Sequence, residues 1–370
     1  MPKVVVSTIG ASLLTKDKII ANEDLNKGEL AQETKIKIEQ YLKQKQQEFT
    51  QANVDIIRKS SAELNGIFAI YEGIITPNDY ARDIHILIAT DTAVGKACAQ
   101  FTEDFLRSRG MKNVQIIIPK KLSMISLEDF EEGIKNLLND LQEILPGYQD
   151  LKYPILFNLV ASIKSIQGYL AAFGMFYADE IIYVFEGTTL PISIPRLPIK
   201  IDEEAISKYK VQLAIMVDGK GNVNLNDLQG LAPTLYESVD NQAFASSWGE
   251  IVWRQIRNSI YTKELLKFPR LEYDSTFIKE FRNQETTRKI KIQEDLAMIS
   301  VKLEESNGNT VALKGGKAGG ILYDRYENKV YNSKPLDHFR VNNGARIICQ
   351  PQNGKLMLID IGPHDINDRY

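Results

Sequence analysis

At 370 residues the chain is too long for one average domain, and two or three units are expected. A composition of 44% hydrophobic and 25% charged residues excludes a disordered chain, and no apolar run reaches the roughly 18 residues of a membrane span. The formal charge of −3 is unevenly shared: residues 270–370 hold 16 Lys and Arg against 14 Asp and Glu, the rest 29 against 34. That contrast permits a nucleic-acid partner at the C-terminal end without demanding one.

The opening "MPKVVVSTIG" enters a strand at once, so a signal peptide is not expected. Cys98 and Cys349 lie far apart with no metal-ligand spacing and read as core residues of a protein in a reducing cytoplasm. Up to residue 200, short apolar strands alternate with amphipathic helices, the rhythm of a parallel sheet. The strands are "KVVVSTIG", "DIHILIAT", "NVQIIIP", "YPILFNLV" and "EIIYVFEG". Their near-continuous Val, Ile and Leu suit a sheet covered on both faces. Between them, "AVGKACAQFTEDFLRSRG" is a helix ending at a glycine, and "SLEDFEEGIKNLLNDLQEIL" one capped by Ser126 and stopping before Pro146-Gly147. "KSIQGYLAAFGMFYAD" is a third, with small residues for close packing on the sheet. This predicts a doubly wound, Rossmann-like α/β domain over residues 1–200, closed by the proline-punctuated "LPISIPRLPIKI".

Residues 201–268 read as a mainly helical connector, including "NLNDLQGLAPTLYESV" and "SWGEIVWRQIRNSIYTKELLKF", with a short strand turn at "GKGNVNL". Residues 269–370 change character. A strand "RLEYD" and a charged helical stretch precede "GGILYDRYENKVYN", "HFRV", "ARIICQP" and "KLMLIDIG", with Asn-Gly turns between the later runs. Consecutive hairpins follow from those turns, so this part is α+β with an antiparallel sheet.

In open parallel sheets, ligands bind outside the carboxyl ends of the strands where strand order reverses. Those ends here carry Thr8, Gly10 and Ser12, then Thr90, Asp91 and Thr92, then Asn158, Ser162 and Lys164. Hydroxyls, an amide, helix N-termini and a lysine suit a polar, phosphate-bearing ligand. The same Ser, Thr and Asn also serve as ordinary helix caps. Lys164 is harder to explain that way, because a helix N-terminus disfavours a cation unless an anion faces it. No G-x-G-x-x-G follows the first strand and no GK[ST] loop occurs, which disfavours NAD and ATP.

"VVVSTIGASLL", "ATDTAVGKACA" and "NLVASIKSIQGYL" followed by "YVFEG" resemble, in order and spacing, CARF domains, the CRISPR-associated Rossmann-fold sensors. The resemblance spans most of residues 1–200. It implies a homodimer that binds a cyclic oligoadenylate, most often the tetramer, with Thr8, Gly10, Ser12, Thr92, Asn158 and Lys164 facing the ligand. Ser12 and Lys164 resemble the pair of ring-cleaving members, which leaves open a self-limiting cleavage of the ring.

The Arg-to-His spacing of a HEPN ribonuclease is missing: Arg82 and His85 stand three apart, Arg325 and His338 thirteen. No clustered carboxylates point to a metal-dependent nuclease, and the helix around Trp253 reads as packing rather than as a DNA reader. What remains is a cluster of cations and aromatics. His338 and Arg340, two apart, project from one strand face. Arg346 opens the next strand, and His364 and Tyr370 come from the terminal "GPHDINDRY". Such groups suffice for metal-free RNA cleavage: a base takes the 2′-hydroxyl proton, arginines hold the phosphorane charge, and an acid protonates the leaving oxygen. The plainer alternative is a solvated outer sheet face.

From His338 to Tyr370 the pattern resembles the end of a RelE-family toxin, and the helices from Phe277 fit that family's first half. The resemblance implies an mRNA interferase acting on the ribosome, with His338, Arg340, Arg346, His364 and Tyr370 as catalytic residues. The segment holding Lys314 and Lys317 is longer than typical, and imidazoles stand where many members carry Lys or Arg. Together the two resemblances imply a cytoplasmic, cyclic-oligoadenylate-activated endoribonuclease of type III CRISPR defence, acting on mRNA and the ribosome. No metal or other cofactor, no membrane and no DNA are expected. The alternatives are a ring nuclease with an inactive C-terminal domain, or a non-enzymatic, ligand-responsive regulator that binds RNA or a ribosomal partner.

Overall fold

Three consecutive valines begin the first strand, and the computed structural model buries all of them. The structure describes every residue except 76–79, 162, 186–187, 315–321, 343–344 and 364, and the side chains of 328, 342 and 367. It divides into two compact units, Met1–Ile199 and Lys200–Tyr370.

In the first unit, β1 (Val4–Thr8) is followed by α1 (Ser12–Lys16), α2 (Gln32–Gln51), α3 (Val54–Ser60) and α4 (Ala62–Ile70). Then β2 (Ile84–Ile88), α5 (Ala93–Ser108), β3 (Asn113–Ile117), α6 (Leu127–Asp150), β4 (Ile155–Asn158), α7 (Lys164–Tyr177) and β5 (Glu180–Val184) alternate as expected. The described strands form one sheet in the order β3-β2-β1-β4-β5-β6, where β6 is Pro191–Pro195. The first five are parallel, and β6 runs antiparallel to β5. This arrangement is compatible with a Rossmann-like domain.

Two local expectations differ from the structure. The helix read as stopping before Pro146 continues to Asp150. A proline inside a helix removes one backbone hydrogen bond. Here tertiary contacts override it: Leu145 is fully buried, and Gln149 Nε2 donates to the carbonyls of Phe176 and Tyr177 at 3.3 and 3.1 Å. The proline-punctuated segment also contributes a strand, and it lies at the sheet's edge, where a missing N–H is tolerated.

In the second unit, α8 (Glu203–Ser207), α9 (Lys210–Val217) and α10 (Ser247–Lys263) carry the helical content. Between α9 and α10, β7 (Val223–Asn224), β8 (Tyr236–Val239) and β9 (Gln242–Ala245) make a small sheet in the order β7-β9-β8. "NLNDLQGLAPTLYESV" is therefore not a helix: it breaks into two short 3₁₀ turns and a strand. Gly230 at φ +89° and Pro233 account for that.

After β10 (Leu271–Tyr273) come α11 (Ser275–Arg282) and α12 (Thr286–Glu305), then β11 (Asp324–Tyr331), β12 (Lys334–Asn342), β13 (Ala345–Gln352) and β14 (Lys355–Gly362). The sheet order is β10-β14-β13-β12-β11, antiparallel except for β10 on β14. Asn353 and Gly354 have φ of 51° and 73°, the left-handed pair that a two-residue hairpin turn needs. The Asn343-Gly344 signal lies outside the described residues.

One apolar core runs through this unit, from Leu213, Trp253 and Ile256 to Phe339, Ile347 and Leu358. Gln293 of α12, fully buried, reinforces it. Its amide donates to the carbonyls of Tyr261 and Glu264 and accepts from Leu266 N, all at 2.8 Å. These bonds satisfy backbone groups that the end of α10 would otherwise leave bare.

Candidate functional sites

Strand order in the first unit reverses between β1 and β4, and a cavity of about 530 Å³ opens there. Gly10 and Ser12 after β1, Thr90 and Thr92 after β2, and Ala161 after β4 line it. Thr92 caps α5 by accepting from Gly95 N at 3.0 Å, and its hydroxyl meets that of Thr90 at 3.0 Å. A glycine is needed at 95, since a Cβ there would lie 2.3 Å from Thr90 Oγ1.

The other three expected residues are placed differently and do not line the cavity. Thr8 is buried, and its hydroxyl donates to the Ala161 carbonyl, tying the exits of β1 and β4 together. Asn158 is fully buried and donates to Ser7 Oγ and to the Glu63 carbonyl at 3.2 Å each. Lys164 is exposed at the first position of α7, whose first turn holds no acid.

Sequence reasoning missed Glu63 of α4, which also lines the cavity. Its buried carboxylate accepts from Gly10 N at 3.0 Å, Ser12 Oγ at 2.5 Å and Ser61 Oγ at 2.6 Å. Ser12 in turn accepts from Ala62 N at 2.9 Å. The hydroxyl nominated for ligand contact thus also anchors α4 to the loop after β1. Glu63 lies 51 residues from Ser12, and no local motif marks it.

In the second unit, β12 alternates as the two-residue repeat requires. Phe339 and Val341 enter the core, while His338 and Arg340 lie on the opposite face. Arg346 of β13 stands directly across from Arg340, and Ile348 from His338. Tyr326 of β11 stacks on His338 with ring centroids 4.1 Å apart, and Arg346 Nη1 reaches the Tyr326 hydroxyl at 3.4 Å. Arg340 is exposed and Arg346 buried. Burial first, and the neighbouring Arg346 charge second, push the His338 pKa below the ordinary imidazole value. Its Nδ1 is buried without a hydrogen-bond partner among the described residues. The imidazole is thereby biased towards its neutral form, with Arg340 and Arg346 beside it and Asp324 of β11 directly across from it.

Tyr370 belongs to the far end of the same face. Its hydroxyl donates to Asp360 Oδ2 at 3.0 Å, Arg369 pairs with that oxygen at 3.4 Å, and its ring meets Tyr331 edge-on. It packs on a small cluster of Leu336, Ile348, Ile359 and Ile366. Asp360 stands across from Ile348, two strands from His338 and so about 10 Å away. His338, Arg340 and Arg346 are brought together, whereas Tyr370 is held apart by Asp360. His364 lies outside the described residues.

Among the described residues no cluster of His, Cys, Asp and Glu could hold a metal ion, and no helix is long and apolar enough to cross a membrane. No curated protein matches the chain. Residues 58–197 match a family model described as CRISPR-associated protein (Cas_APE2256). The matched stretch runs from the end of α3 past β6, within the first unit, and supports a CRISPR-associated protein.

Proposed function

We propose that the chain is a cyclic-oligoadenylate sensor joined to a metal-independent endoribonuclease, working as an accessory effector of CRISPR defence. The observation that carries this reading is the crevice above β1 and β4, lined by the hydroxyls of Ser12, Thr15, Thr90 and Thr92, in the unit that holds the stretch matched to a CRISPR-associated family. Gly10, Ser12 and Thr92 contact the ring, cyclic tetra-adenylate in the first instance. Lys164, at a helix start with no acid in its first turn, reaches a phosphate from outside the described cavity. Thr8 and Asn158 shape the walls. A symmetric ring is best held by two copies of this unit contributing the same groups.

For the nuclease, His338 takes the 2′-hydroxyl proton as that oxygen bonds to the adjacent phosphorus, Arg340 and Arg346 hold the charge that grows on the phosphorus-bound oxygens, and the P–O5′ bond breaks with the leaving oxygen protonated by water. The substrate is mRNA, cut on the ribosome. The test is mRNA cleavage in a translation extract with and without cyclic tetra-adenylate. Cleavage is expected only with the ligand and is lost in Arg346→Ala/Tyr370→Ala. Cleavage that ignores the ligand overturns the coupling, and cleavage that survives in the variant overturns the catalytic assignment.

A second reading is a ring nuclease whose C-terminal unit is inactive. The engagement of Tyr370 with Asp360 favours it, since that hydroxyl already has a partner. Under this reading cyclic tetra-adenylate is cleaved in a Ser12- and Lys164-dependent way while mRNA stays intact.

A further inference from the structure

A second cavity in the first unit, of about 500 Å³, lies where α1 ends, α3 passes, and the chain leaves β5. Three cations line it: Lys16, the last residue of α1, and Arg58 and Lys59 of α3. Among the described residues its one carboxylate is Asp55, a turn before Lys59 on the same helix.

Arg58 decides the character of the place. It is only 9% exposed, and no carboxylate pairs with it among the described residues. Nε donates to Asn65 Oδ1 at 2.8 Å and Nη2 to the Thr189 carbonyl at 2.5 Å. These two neutral acceptors hold the guanidinium plane in place. Nη1 makes no hydrogen bond among the described residues. Lys16 Nζ donates to the Lys59 carbonyl at 2.7 Å, which brings the two lysines to one rim. The Lys59 ammonium has no partner there either.

Burying a charge without a counter-ion is costly, and a buried guanidinium is normally matched by an acid. Burial here pushes the Arg58 pKa down, and Asp55, three residues earlier on the same helix, opposes it without pairing with the guanidinium. A fixed planar fork, flanked by two flexible ammonium groups with free protons, matches a tetrahedral oxyanion better than a carboxylate side chain. Among the described residues, three cations against one acid favour an anion of more than one charge.

We infer that the Lys16–Arg58–Lys59 cavity is a phosphate-binding site, separate from the crevice above β1. The phosphate is either inorganic or mononucleotide phosphate, or one belonging to a larger nucleotide that also enters the crevice. Either source presents the same group to the same three side chains.

The experiment follows the melting temperature of the full-length protein and ³¹P line broadening on titration with inorganic phosphate. Potassium chloride at matched ionic strength is the control. A saturable phosphate response is expected that chloride does not reproduce. Lys16→Gln/Lys59→Gln removes two exposed charges and leaves Arg58 in place, so its fold without phosphate is expected to melt as the wild type does. Its phosphate affinity falls roughly tenfold or more. A non-saturating response, a response equal to chloride, or unchanged affinity in the variant overturns the site. Repeating the titration with saturating cyclic tetra-adenylate separates the sources. Displacement assigns the site to the larger nucleotide, and undiminished binding assigns it to free phosphate or a mononucleotide. Because the probe is inorganic phosphate, loss of this site leaves the oligoadenylate reading standing, and the reverse also holds.

Discussion

The His338 ring lies on that of Tyr326 with planes 21° apart, and the same tyrosine hydroxyl receives Arg346 Nη1. Two cross-strand neighbours are thereby held by a third strand. The stack removes one face of the imidazole from water, and Arg346 opposes its protonation.

A pH dependence follows. The folded pKa of His338 lies below the unfolded value of about 6.5, so the stabilisation is present above that pH and lost as pH falls below it. Between pH 7 and pH 5 the wild type is expected to lose more thermal stability than His338→Phe. Parallel melting curves for the two proteins would remove the imidazole from the explanation. In the nuclease reading, the acid limb of the cleavage profile also falls below pH 6.5.

His85 makes the same argument more strongly in the first unit. It is fully buried, its pKa is pushed down to about 4 by desolvation, and its Nε2 meets the Tyr71 hydroxyl at 3.1 Å. Acidification from about pH 6.5 towards 4 should cost about 3 kcal/mol through this residue alone. His85→Gln should flatten that slope in urea titrations at pH 7 and pH 5. An unchanged slope would mean that another group dominates acid unfolding.

Gly66 and Asn158 are packed without slack. A Cβ on Gly66 would fall 1.9 Å from Asn158 Oδ1. Gly66→Ala should destabilise the first unit by about 2–4 kcal/mol, as overpacking of a buried polar contact. Asn158→Ala in the same chain should recover part of that loss. The check is a double-mutant cycle by chemical denaturation, and strict additivity would contradict the contact.

Tyr370→Phe keeps the ring on Tyr331 and removes the bond to buried Asp360. It should cost about 1–2 kcal/mol, because Oδ2 of Asp360 then keeps only Arg369 among the described residues, while Oδ1 still accepts from Ile361 N at 2.8 Å. If Tyr370 also acts on RNA, cleavage falls much further than this loss explains. Stability and cleavage measured on one preparation separate the two roles.

Glu63 places a carboxylate in a crevice read as receiving phosphates. Glu63→Gln keeps an acceptor for Gly10 N or Ser12 and removes the charge. Affinity for cyclic tetra-adenylate is expected to rise by roughly tenfold or less, the size of one screened charge contact. Calorimetric titration of both proteins checks it, and weakened binding would recast Glu63 as an essential wall.

Local signals carried much of the fold. "VVV" and "IHILI" marked strands covered on both faces, Ser126 does cap α6 through Asp129 N, and Asn353-Gly354 turns a hairpin. The two-residue repeat of "HFRV" also put His338 and Arg340 on one face. What escaped depends on distance in the chain. Glu63 reaches the crevice only because α4 packs against β1, and Asn158 turns inward because it must satisfy Ser7 and Glu63. A proline inside α6 was misleading because its cost is local, whereas the contacts of Gln149 that offset it come from α7. Tyr370 was legible as an aromatic beside a strand exit, but its acid partner on β14 was not.

The three bonds of Gln293 bear on how this protein can be cut apart. The final hundred residues look, by sequence, like a cassette that could be lifted out at residue 269. Excised there, α12 would lose the backbone partners its buried amide serves, and Phe339, Ile347 and Leu358 would lose Leu213, Trp253 and Ile256 from their shared core. The smallest piece expected to remain soluble begins near Lys200.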